Sequence, residues 1–515
     1  MARQSKKTKA QTTAQRLNSI LKSCRDIMRK DRGLSSDVDR LPQLTWLMFL
    51  KFLDDMEQME ELVQGDEYQP LIPAPYRWRD WASDKMGLTG DDLIAFVQND
   101  KALLPNGKQD KGLLIKLRGL RGSGKYDRRD VIANVFKDTY NRMVNGFLLK
   151  DIIDKINDIH FDSSEEINIL GDIYESILQQ MRDSAGDAGE FYTPRPVIKF
   201  MVKIIAPQLG EIVEDPACGT GGFLVESFKH LMEHAKTIKA RQQVQRHAIR
   251  GIEAKPLPYL LCQMNLLLHG MESPEIKYEN ALANQLTSID ATQQIDVILT
   301  NPPFGGEEEK SIQSNFPADR ISSETALLFL QLIQRKLKKA KTGRAAVIVP
   351  NGTLFGDGVC AKIKEDLLKN FNLHTIVRLP NGVFAPYTSI PTNLLFFDAS
   401  QPTTEIWFCE IQLPEGRKNY TKTKPMRYEE FSDCLAWWHK RKENEWAWKI
   451  SVKEVLQYND KGDVIAANLD IKNPNAQKDF EHLPPEQLVA EVIEKERRIL
   501  EIMGEIKQTL AEEKT

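Results

Sequence analysis

The sequence predicts an α/β protein with a helical domain before its sheet and a helical tail after it. Between residues 163 and 399, short β-rich runs alternate with amphipathic helical segments, which is typical of a mostly parallel sheet covered by helices on both faces. Residues 13–162 show helical periodicity instead. A charged amphipathic segment follows Pro484-Pro485 near the C-terminus.

The length and these changes of pattern predict several domains. The chain has 515 residues, more than one domain of roughly 100–200 residues holds. We expect a basic arm at 1–12, a helical N-terminal domain at 13–162, an α/β domain at 163–399, a tryptophan-rich extension at 400–480 and a C-terminal helix for subunit docking at 481–515.

The composition excludes several classes of protein. The net charge of -3 does not indicate a chain covered in phosphate-binding charge, although a local basic patch is enough for nucleic acid. The six cysteines form no CxxC pair and no Cys/His cluster with zinc spacing, so free thiols in a reducing cytoplasm are expected. The basic N-terminus has no apolar signal region, and no apolar run approaches the ~18 residues of a membrane span.

The N-terminal half contains one apolar stripe and one basic stretch. Phe49, Phe52, Leu53, Met56 and Met59 repeat at helical spacing, which predicts a helix facing a core. The stretch 101–130 is rich in Lys and Arg and fits either a solvated loop or a contact with DNA phosphates.

That basic stretch also contains an imperfect phosphate-loop motif. Gly119, Gly124 and Lys125 have the required spacing, but Tyr126 stands where the motif needs a hydroxyl for magnesium, and no convincing strand precedes it. The motif therefore does not predict a nucleoside triphosphatase.

A glycine turn joins a strand to a helix in the α/β region. The segment DPACGTGGF, residues 215–223, follows the short strand EIVED. Such turns lie at the carboxyl edge of a parallel sheet, where α/β proteins bind ligands, and glycine lets the backbone approach a ligand closely. Leu224 replaces the third glycine of a dinucleotide fingerprint. Alone, the turn also fits a structural role.

An acidic residue ends the next strand. Glu253 closes the apolar run IRGIEA. A carboxylate in that position accepts hydrogen bonds from ribose hydroxyls in dinucleotide folds. We therefore predict that Glu253 binds the ribose of a nucleoside cofactor.

The most specific motif is Asn301-Pro302-Pro303-Phe304, directly after the strand IDVILT. The lone pair of an exocyclic amine is delocalised into its ring, which makes the amine a poor nucleophile. The Asn301 side-chain oxygen and the Pro302 carbonyl are two acceptors that would draw the nitrogen toward tetrahedral geometry, with its lone pair facing a methyl sulfonium. The prolines hold these acceptors rigidly, and Phe304 offers a face to a base swung out of the duplex.

A fourth motif, GEFYTPRP at residues 189–196, precedes the first strand of the sheet. Pro196 suits the first turn of a helix. We expect the aromatic pair and Thr193 to line the methionine end of the methyl donor, although a plain helix start would look similar.

Taken in order, GEFYTPRPV, DPACGTGGF, IEA and NPPF resemble the motifs of N6-adenine DNA methyltransferases, whose fold is Rossmann-like and S-adenosylmethionine-dependent. More narrowly, the chain resembles the modification subunit of type I restriction–modification systems. This similarity runs from about residue 14 into the tail and includes RLPQLTWLMFLKFLDDME and VRLPNGVFAPYTSIPTNLLFF. It implies that residues 163–399 form the methyltransferase catalytic domain.

The resemblance also implies a role for each motif residue. Residues of three motifs would bind S-adenosyl-L-methionine: Glu190, Phe191, Tyr192, Thr193, Pro194, Arg195, Asp215, Gly219, Thr220, Gly221, Gly222 and Glu253. The fourth would hold the target adenine: Asn301, Pro302, Pro303 and Phe304. Asn280 departs from the family, in which an acid often binds the cofactor's adenine, and this puts the strength of that contact in doubt.

The partners implied by the resemblance are double-stranded DNA, a specificity subunit, a second copy of this chain and a restriction subunit, with no membrane. About 115 residues follow Ala399, with no obvious base-reading module among them, so the chain alone is expected to bind DNA weakly and without sequence choice. Within the tail, five apolar residues fall near a 3.5-residue repeat and would pack either on their own domain or on a partner subunit. They are Leu488, Val492, Ile499, Ile502 and Ile506.

The expected reaction is direct methyl transfer, with no covalent enzyme intermediate, no catalytic cysteine and no metal. Two alternatives stay open at the level of sequence. One is an N-methyltransferase of RNA or of protein glutamine, which shares the same acceptor logic. The other is a DNA-scaffolding subunit with an inactive methyltransferase fold.

Overall fold

The structure, a computed structural model, describes residues 12–123, 127–161, 164–184, 192–339, 342–475 and 493–504. The predicted basic arm lies almost entirely outside these ranges. So do Gly124, Lys125 and Tyr126 of the imperfect phosphate loop, whose Gly119 follows a helix rather than a strand.

The N-terminal region is helical, as its periodicity predicts. Its helices are α1 (Thr13–Met28), α2 (Asp37–Gln64), α3 (Trp78–Trp81), α4 (Gly90–Gln98), α5 (Leu113–Arg118), α6 (Arg128–Lys137) and α7 (Gly146–Ile156), with a two-stranded ribbon of β1 (Ala102–Leu103) and β2 (Gln109–Asp110). The predicted stripe on α2 faces the core: Phe49, Phe52 and Leu53 are buried, and Met59 lies at its exposed end.

Helix α8 (Ser164–Ser184) leads into the α/β region, and two sets of elements follow it. The helices are α9 (Arg195–Ile205), α10 (Gly222–His234), α11 (Ile238–His247), α12 (Pro256–Leu268), α13 (Lys310–Gln313), α14 (Thr325–Lys336), α15 (Val359–Asn370), α16 (Ser432–Trp438) and α17 (Val452–Val455). The strands are β3 (Val213–Asp215), β4 (Ile249–Glu253), β5 (Glu275–Tyr278), β6 (Val297–Thr300), β7 (Arg344–Pro350), β8 (Asn372–Arg378), β9 (Thr392–Asp398), β10 (Glu405–Glu410), β11 (Ala447–Ser451), β12 (Leu456–Tyr458) and β13 (Val464–Ala467).

Nine of these strands form one sheet in the order β11-β10-β8-β9-β7-β6-β3-β4-β5. The stretch from β7 to β5 is parallel, as predicted, and β8 and β10 also pair in parallel. The carboxyl ends of these seven strands therefore share one edge, while β9 and β11 run in the opposite direction.

Strand β9 is antiparallel to both of its neighbours, which alternating strands and helices do not predict. A parallel neighbour requires a crossover of a dozen or more residues, usually a helix. The segment between Arg378 and Thr392 contains turns but no helix, so the chain reverses and inserts β9 between β7 and β8.

The sheet also continues past residue 399, where the sequence pattern places the end of the catalytic domain. Strand β10 pairs with β8, and β11 of the tryptophan-rich extension pairs with β10. Trp448 of β11 is fully buried and stacks on Phe408 of β10 at 5.2 Å. The extension therefore belongs to the same packed unit, and this continues past β11, because β13 packs against α15 and Leu469 joins the same core.

Helix α12 joins the two halves of the molecule, because it packs against α2, α6 and α8 as well as β4 and β5. Eleven of its residues are buried. Beside it, the Tyr278 hydroxyl at the end of β5 donates to Asp138 of the N-terminal domain at 2.7 Å. None of the described helices is both long and apolar enough to cross a membrane.

Candidate active site

Three of the four motifs meet at the carboxyl ends of β6, β3 and β4, which are neighbours in the sheet. They surround an open cavity with about 970 Å³ of empty space. Of the predicted site residues, eight line it: Thr193, Asp215, Gly219, Thr220, Gly222, Glu253, Asn301 and Pro303.

The remaining predicted residues fall into two groups. Glu190 and Phe191 lie outside the described residues. Six are described but lie behind or beside the cavity lining rather than in it: Tyr192, Pro194, Arg195, Gly221, Pro302 and Phe304.

Arg195 is held by contacts within the protein, and its predicted role in cofactor binding stays a prediction. Its guanidinium forms an ion pair with Glu175 of α8, with Nε at 2.6 Å, and donates to the Gly222 carbonyl at 2.9 Å. Arg195 therefore ties α8 to the first turn of α10. The predicted start of α9 agrees with the structure, with Pro196 in its first turn and Val197, Phe200 and Met201 buried.

The glycine turn has its unusual residues for reasons of both conformation and packing. Gly219 and Gly221 have φ of 52° and 79°, in the left-handed region that favours glycine. A Cβ on Gly221 would lie 2.8 Å from Cys262 Sγ, and one on Gly222 would lie 2.5 Å from Ile198 Cδ1. The last two glycines therefore allow helix packing, while Gly219 brings its backbone to the cavity.

Glu253 is buried beneath this turn and accepts two backbone hydrogen bonds. Its carboxylate accepts from Gly219 N at 2.9 Å and from Lys255 N at 2.8 Å. Burial raises the pKa of Glu253 to about 7, and these two bonds partly oppose that rise. The side chain is thus held in place at the cavity wall.

Asp215 connects the glycine turn to the strand that carries the Asn-Pro-Pro-Phe motif. Its Oδ1 accepts from the Thr300 hydroxyl at 2.6 Å and from Ala217 N at 3.0 Å. Burial raises the pKa of Asp215 to about 7 as well. Because Thr300 immediately precedes Asn301, Asp215 fixes one motif relative to the other.

Asn301 has one engaged and one unengaged polar atom. Its Nδ2 donates to Thr193 Oγ1 at 3.0 Å, which orients the amide. Its Oδ1 is buried and accepts no hydrogen bond from the described residues. Thr193 thus positions the side chain of Asn301. The two residues are 108 positions apart in the sequence, and the motifs alone do not reveal this contact.

The aromatic residue of the motif has a partner that the sequence analysis missed. Phe304 is half-buried, and its ring lies 5.7 Å from that of Phe384 in an edge-to-face arrangement. Phe384 is in the turn segment between β8 and β9. Several cavity residues were also missed: Ile252, Ala254, Lys255, Glu279, Ala281, Glu308 and Phe329.

Comparison with known proteins identifies the family of the chain. Residues 165–481 match the family model described as N-6 DNA Methylase, and residues 17–156 match the HsdM N-terminal domain. The chain belongs to the N-6 DNA methylase family. It is a methylase subunit of the type I restriction kind, and it methylates adenine N6 in DNA.

Individual relatives of the methylase cover nearly the whole chain. The type I restriction enzyme EcoEI methylase subunit of Escherichia coli is 48% identical over 96% of this chain and 97% of its own. Among solved structures, a modification subunit from Vibrio vulnificus YJ016 is 60% identical, with a TM-score of 0.83 over 92% of this chain and 100% of that one. A chain from a study of type I R-M complex assembly is 38% identical, with a TM-score of 0.78 over 98% and 100%.

These matches confirm the predicted family and the Rossmann-like α/β class. They do not favour the alternative of an RNA or glutamine N-methyltransferase, because the family model and the relatives concern DNA methylases.

Proposed function

We propose that the cavity binds S-adenosylmethionine and that the Asn-Pro-Pro-Phe loop holds the amino group of an extruded adenine for methylation. The observation that carries this proposal is the buried, unpartnered Oδ1 of Asn301. Leaving such an acceptor unsatisfied costs about 1–3 kcal/mol. An incoming amine N–H removes that cost.

The chain prepares this acceptor before the substrate arrives. The bond from Asn301 Nδ2 to Thr193 Oγ1 fixes the direction of Oδ1, and Pro302 is buried behind it. The Pro302 carbonyl is the second proposed acceptor. With both amine hydrogens held, the nitrogen lone pair is free to attack, and preorganised acceptors need no rearrangement in the transition state.

The charges of the cavity suit a cationic cofactor. Its described lining has the four acidic residues Asp215, Glu253, Glu279 and Glu308 against one basic residue, Lys255. S-adenosylmethionine supplies an electrophilic methyl group on a positively charged sulfur. As the N–C bond forms, the C–S bond breaks and leaves a neutral thioether, and the methylated amine then loses one proton to water. A cavity that stabilises positive charge therefore binds the methyl donor better than the thioether product.

Glu253 is proposed to bind the ribose hydroxyls, and Glu253→Ala is expected to weaken S-adenosylmethionine binding roughly ten- to hundredfold. A charge-assisted hydrogen bond is worth about 1.5–3 kcal/mol. Isothermal titration calorimetry measures the effect. The matched control is Glu275→Ala on neighbouring β5, whose side chain pairs with Arg250 outside the cavity lining and is expected to leave the affinity unchanged. An unchanged dissociation constant in Glu253→Ala would contradict the assigned role.

The raised pKa of Glu253 predicts a pH dependence of cofactor binding. We expect the ionised carboxylate of Glu253 to bind the ribose. The affinity for S-adenosylmethionine therefore falls as the pH drops below about 7 and this carboxylate takes up a proton, by about tenfold per pH unit for one such group. Titrations between roughly pH 6 and pH 8 measure this slope. Asp215 ionises in the same range, so the residual slope of Glu253→Gln reports Asp215 alone. Equal wild-type affinity at both ends of the range would refute the prediction.

We also propose the partners of this active site. The substrate is double-stranded DNA in the cytoplasm, a specificity subunit reads its sequence, a second copy of this chain completes the methylase, and a restriction subunit joins the full complex that protects host DNA. The alternative of an inactive scaffolding subunit is not favoured, because the relatives are named as methylase subunits.

A further inference from the structure

The segment from Glu415 to Arg427 is a basic and largely exposed turn. It contains five basic residues and one acidic residue, in the sequence EGRKNYTKTKPMR. We call it the basic turn. Lys418 and Lys424 are exposed, while Tyr420 and Met426 are buried and anchor its base. The cations therefore project from a fixed support.

The basic turn is docked on the segment that reaches the target-base loop. Tyr420 N donates to the Asn381 carbonyl at 2.9 Å. A Cβ on Gly382 would lie 2.2 Å from the Tyr420 carbonyl oxygen, so glycine is required for this close approach. Two residues later, Phe384 meets Phe304 of the Asn-Pro-Pro-Phe motif. The basic turn is therefore connected through one short segment to the predicted position of the adenine.

Internal bonds keep the turn rigid without neutralising Lys418 or Lys424. The Tyr420 hydroxyl donates to Glu430 at 2.8 Å, and Arg417 forms an ion pair with the same carboxylate at 3.7 Å. The backbones of Thr421 and Lys424 bond to each other across the tip. Among the described residues, Lys418 and Lys424 form no ion pair with an acid.

Acidic residues lie just after the motif on the chain, in contrast to the basic turn. Glu308 lines the cofactor cavity, and the exposed Glu307 and Glu309 flank it on the chain. The cations of the basic turn are instead connected to the motif through the segment that contains Phe384, which contacts Phe304. Phosphates would be repelled by these carboxylates and attracted by the cations of the basic turn.

The earlier candidate for phosphate contacts, residues 101–130, is less suited to this role because several of its cations are already engaged. Arg118 donates to the carbonyls of Phe136 and Thr139. Arg128 pairs with Glu60 of α2, and Arg129 pairs with Asp127.

We infer that the basic turn binds the DNA backbone beside the extruded adenine, with Lys418 and Lys424 contacting phosphates. This inference rests on the proposed function, since it takes DNA as the substrate of the same site. Lysine contacts to phosphates release counterions that are bound to the DNA. DNA affinity therefore falls as the salt concentration rises, and a plot of log affinity against log salt has a slope of about -0.9 for each phosphate contacted.

The test compares two double variants of the full chain for binding to duplex DNA over a range of salt concentrations. Lys418→Gln with Lys424→Gln is expected to bind roughly tenfold more weakly at low salt. It is also expected to reduce the salt slope by roughly 2. The matched control, Lys236→Gln with Lys239→Gln, removes two exposed lysines near the start of α11, which leads into the amino end of β4. The control is expected to behave as wild type.

Two further measurements keep the outcome unambiguous. Affinity for S-adenosylmethionine is expected to be unchanged in both variants, which shows that the fold is intact. Lys418→Glu with Lys424→Glu is expected to lose more DNA affinity than the glutamine pair. An unchanged salt slope in the basic-turn variant, or an equal loss in the control, overturns the inference. Because binding is measured independently of catalysis, failure of the wild-type chain to methylate adenine in the presence of a specificity subunit would count only against the proposed function.

Discussion

Replacing Asn301 with alanine is expected to abolish methyl transfer while S-adenosylmethionine still binds. The substitution removes the buried Oδ1 that we assign to the adenine amine. Losing one preorganised group of this kind typically costs a factor of about 10²–10³ in rate. Here the loss is expected at or beyond that upper end, because the amine is activated only by its acceptors. Incorporation of labelled methyl groups into duplex DNA measures the rate, and calorimetry measures cofactor binding.

A matched substitution separates the loss of the acceptor from damage to the loop. Asn301→Asp keeps an acceptor oxygen at the same position, and the Thr193 hydroxyl is able to donate to its other oxygen. We expect this variant to retain a measurable rate well above that of Asn301→Ala. Full activity in Asn301→Ala would remove the assigned role, as would equal inactivity of the two variants with equal cofactor binding.

The parts of the site that the sequence predicted are those placed by strand ends. Asp215 and Glu253 are the last residues of β3 and β4, and Asn301 directly follows β6; parallel strands bring such positions to one edge. The alternation of strands and helices in the sequence was therefore enough to place these three residues at one edge of the sheet. Strand β5 was overlooked because it is short and only partly buried, and with it Glu279 and Ala281, which line the cavity just after it.

Contacts between distant segments left no local signal. Arg195 stands in a motif that resembles a cofactor-binding segment, yet its partner Glu175 is a residue of α8 that no spacing rule connects to it. Thr193 likewise orients Asn301 from another element. Phe329 reads as an ordinary core residue of α14, and only the packing of that helix brings it to the cavity.

The topology shows the same limit. Alternating strands and helices predicted a parallel sheet, and this holds from β5 to β7. The reversal of β9 depends on a segment without a helix, and the addition of β10 and β11 depends on side chains such as Trp448 that bury themselves against earlier strands. The tryptophan content of residues 400–480 did not indicate which strand this extension would join.

Without a specificity subunit, the purified chain is expected to show no sequence-specific methylation. Its relatives are subunits of larger enzymes by name, among them the EcoEI methylase subunit. The proposed base pocket receives one adenine, and the basic turn reads phosphates, which carry no sequence information. Discrimination among sites therefore has to come from another polypeptide. Methylation of defined duplexes with and without a specificity subunit measures this dependence.

The C-terminal helix is the proposed docking element for that subunit. Of the predicted stripe, Leu488, Val492 and Ile506 lie outside the described residues, while Ile499 and Ile502 lie in the helix 493–504 and are 56% and 42% exposed. Leu500 and Met503 are exposed on the same helix. Apolar side chains left open to water in this way favour association with another surface.

Truncation before Leu483 is expected to prevent association with the specificity subunit while cofactor binding persists, because the cavity is built from residues 193–329. A milder variant, Ile499→Ser with Ile502→Ser, keeps the chain complete and is expected to weaken association. Its control is Ile238→Ser on α11, which removes an even more exposed apolar residue far along the chain from the tail. Full-rate methylation of one defined site by the chain alone would make the specificity subunit unnecessary. Normal association of the truncated chain would instead move the docking surface elsewhere and leave the need for a partner standing.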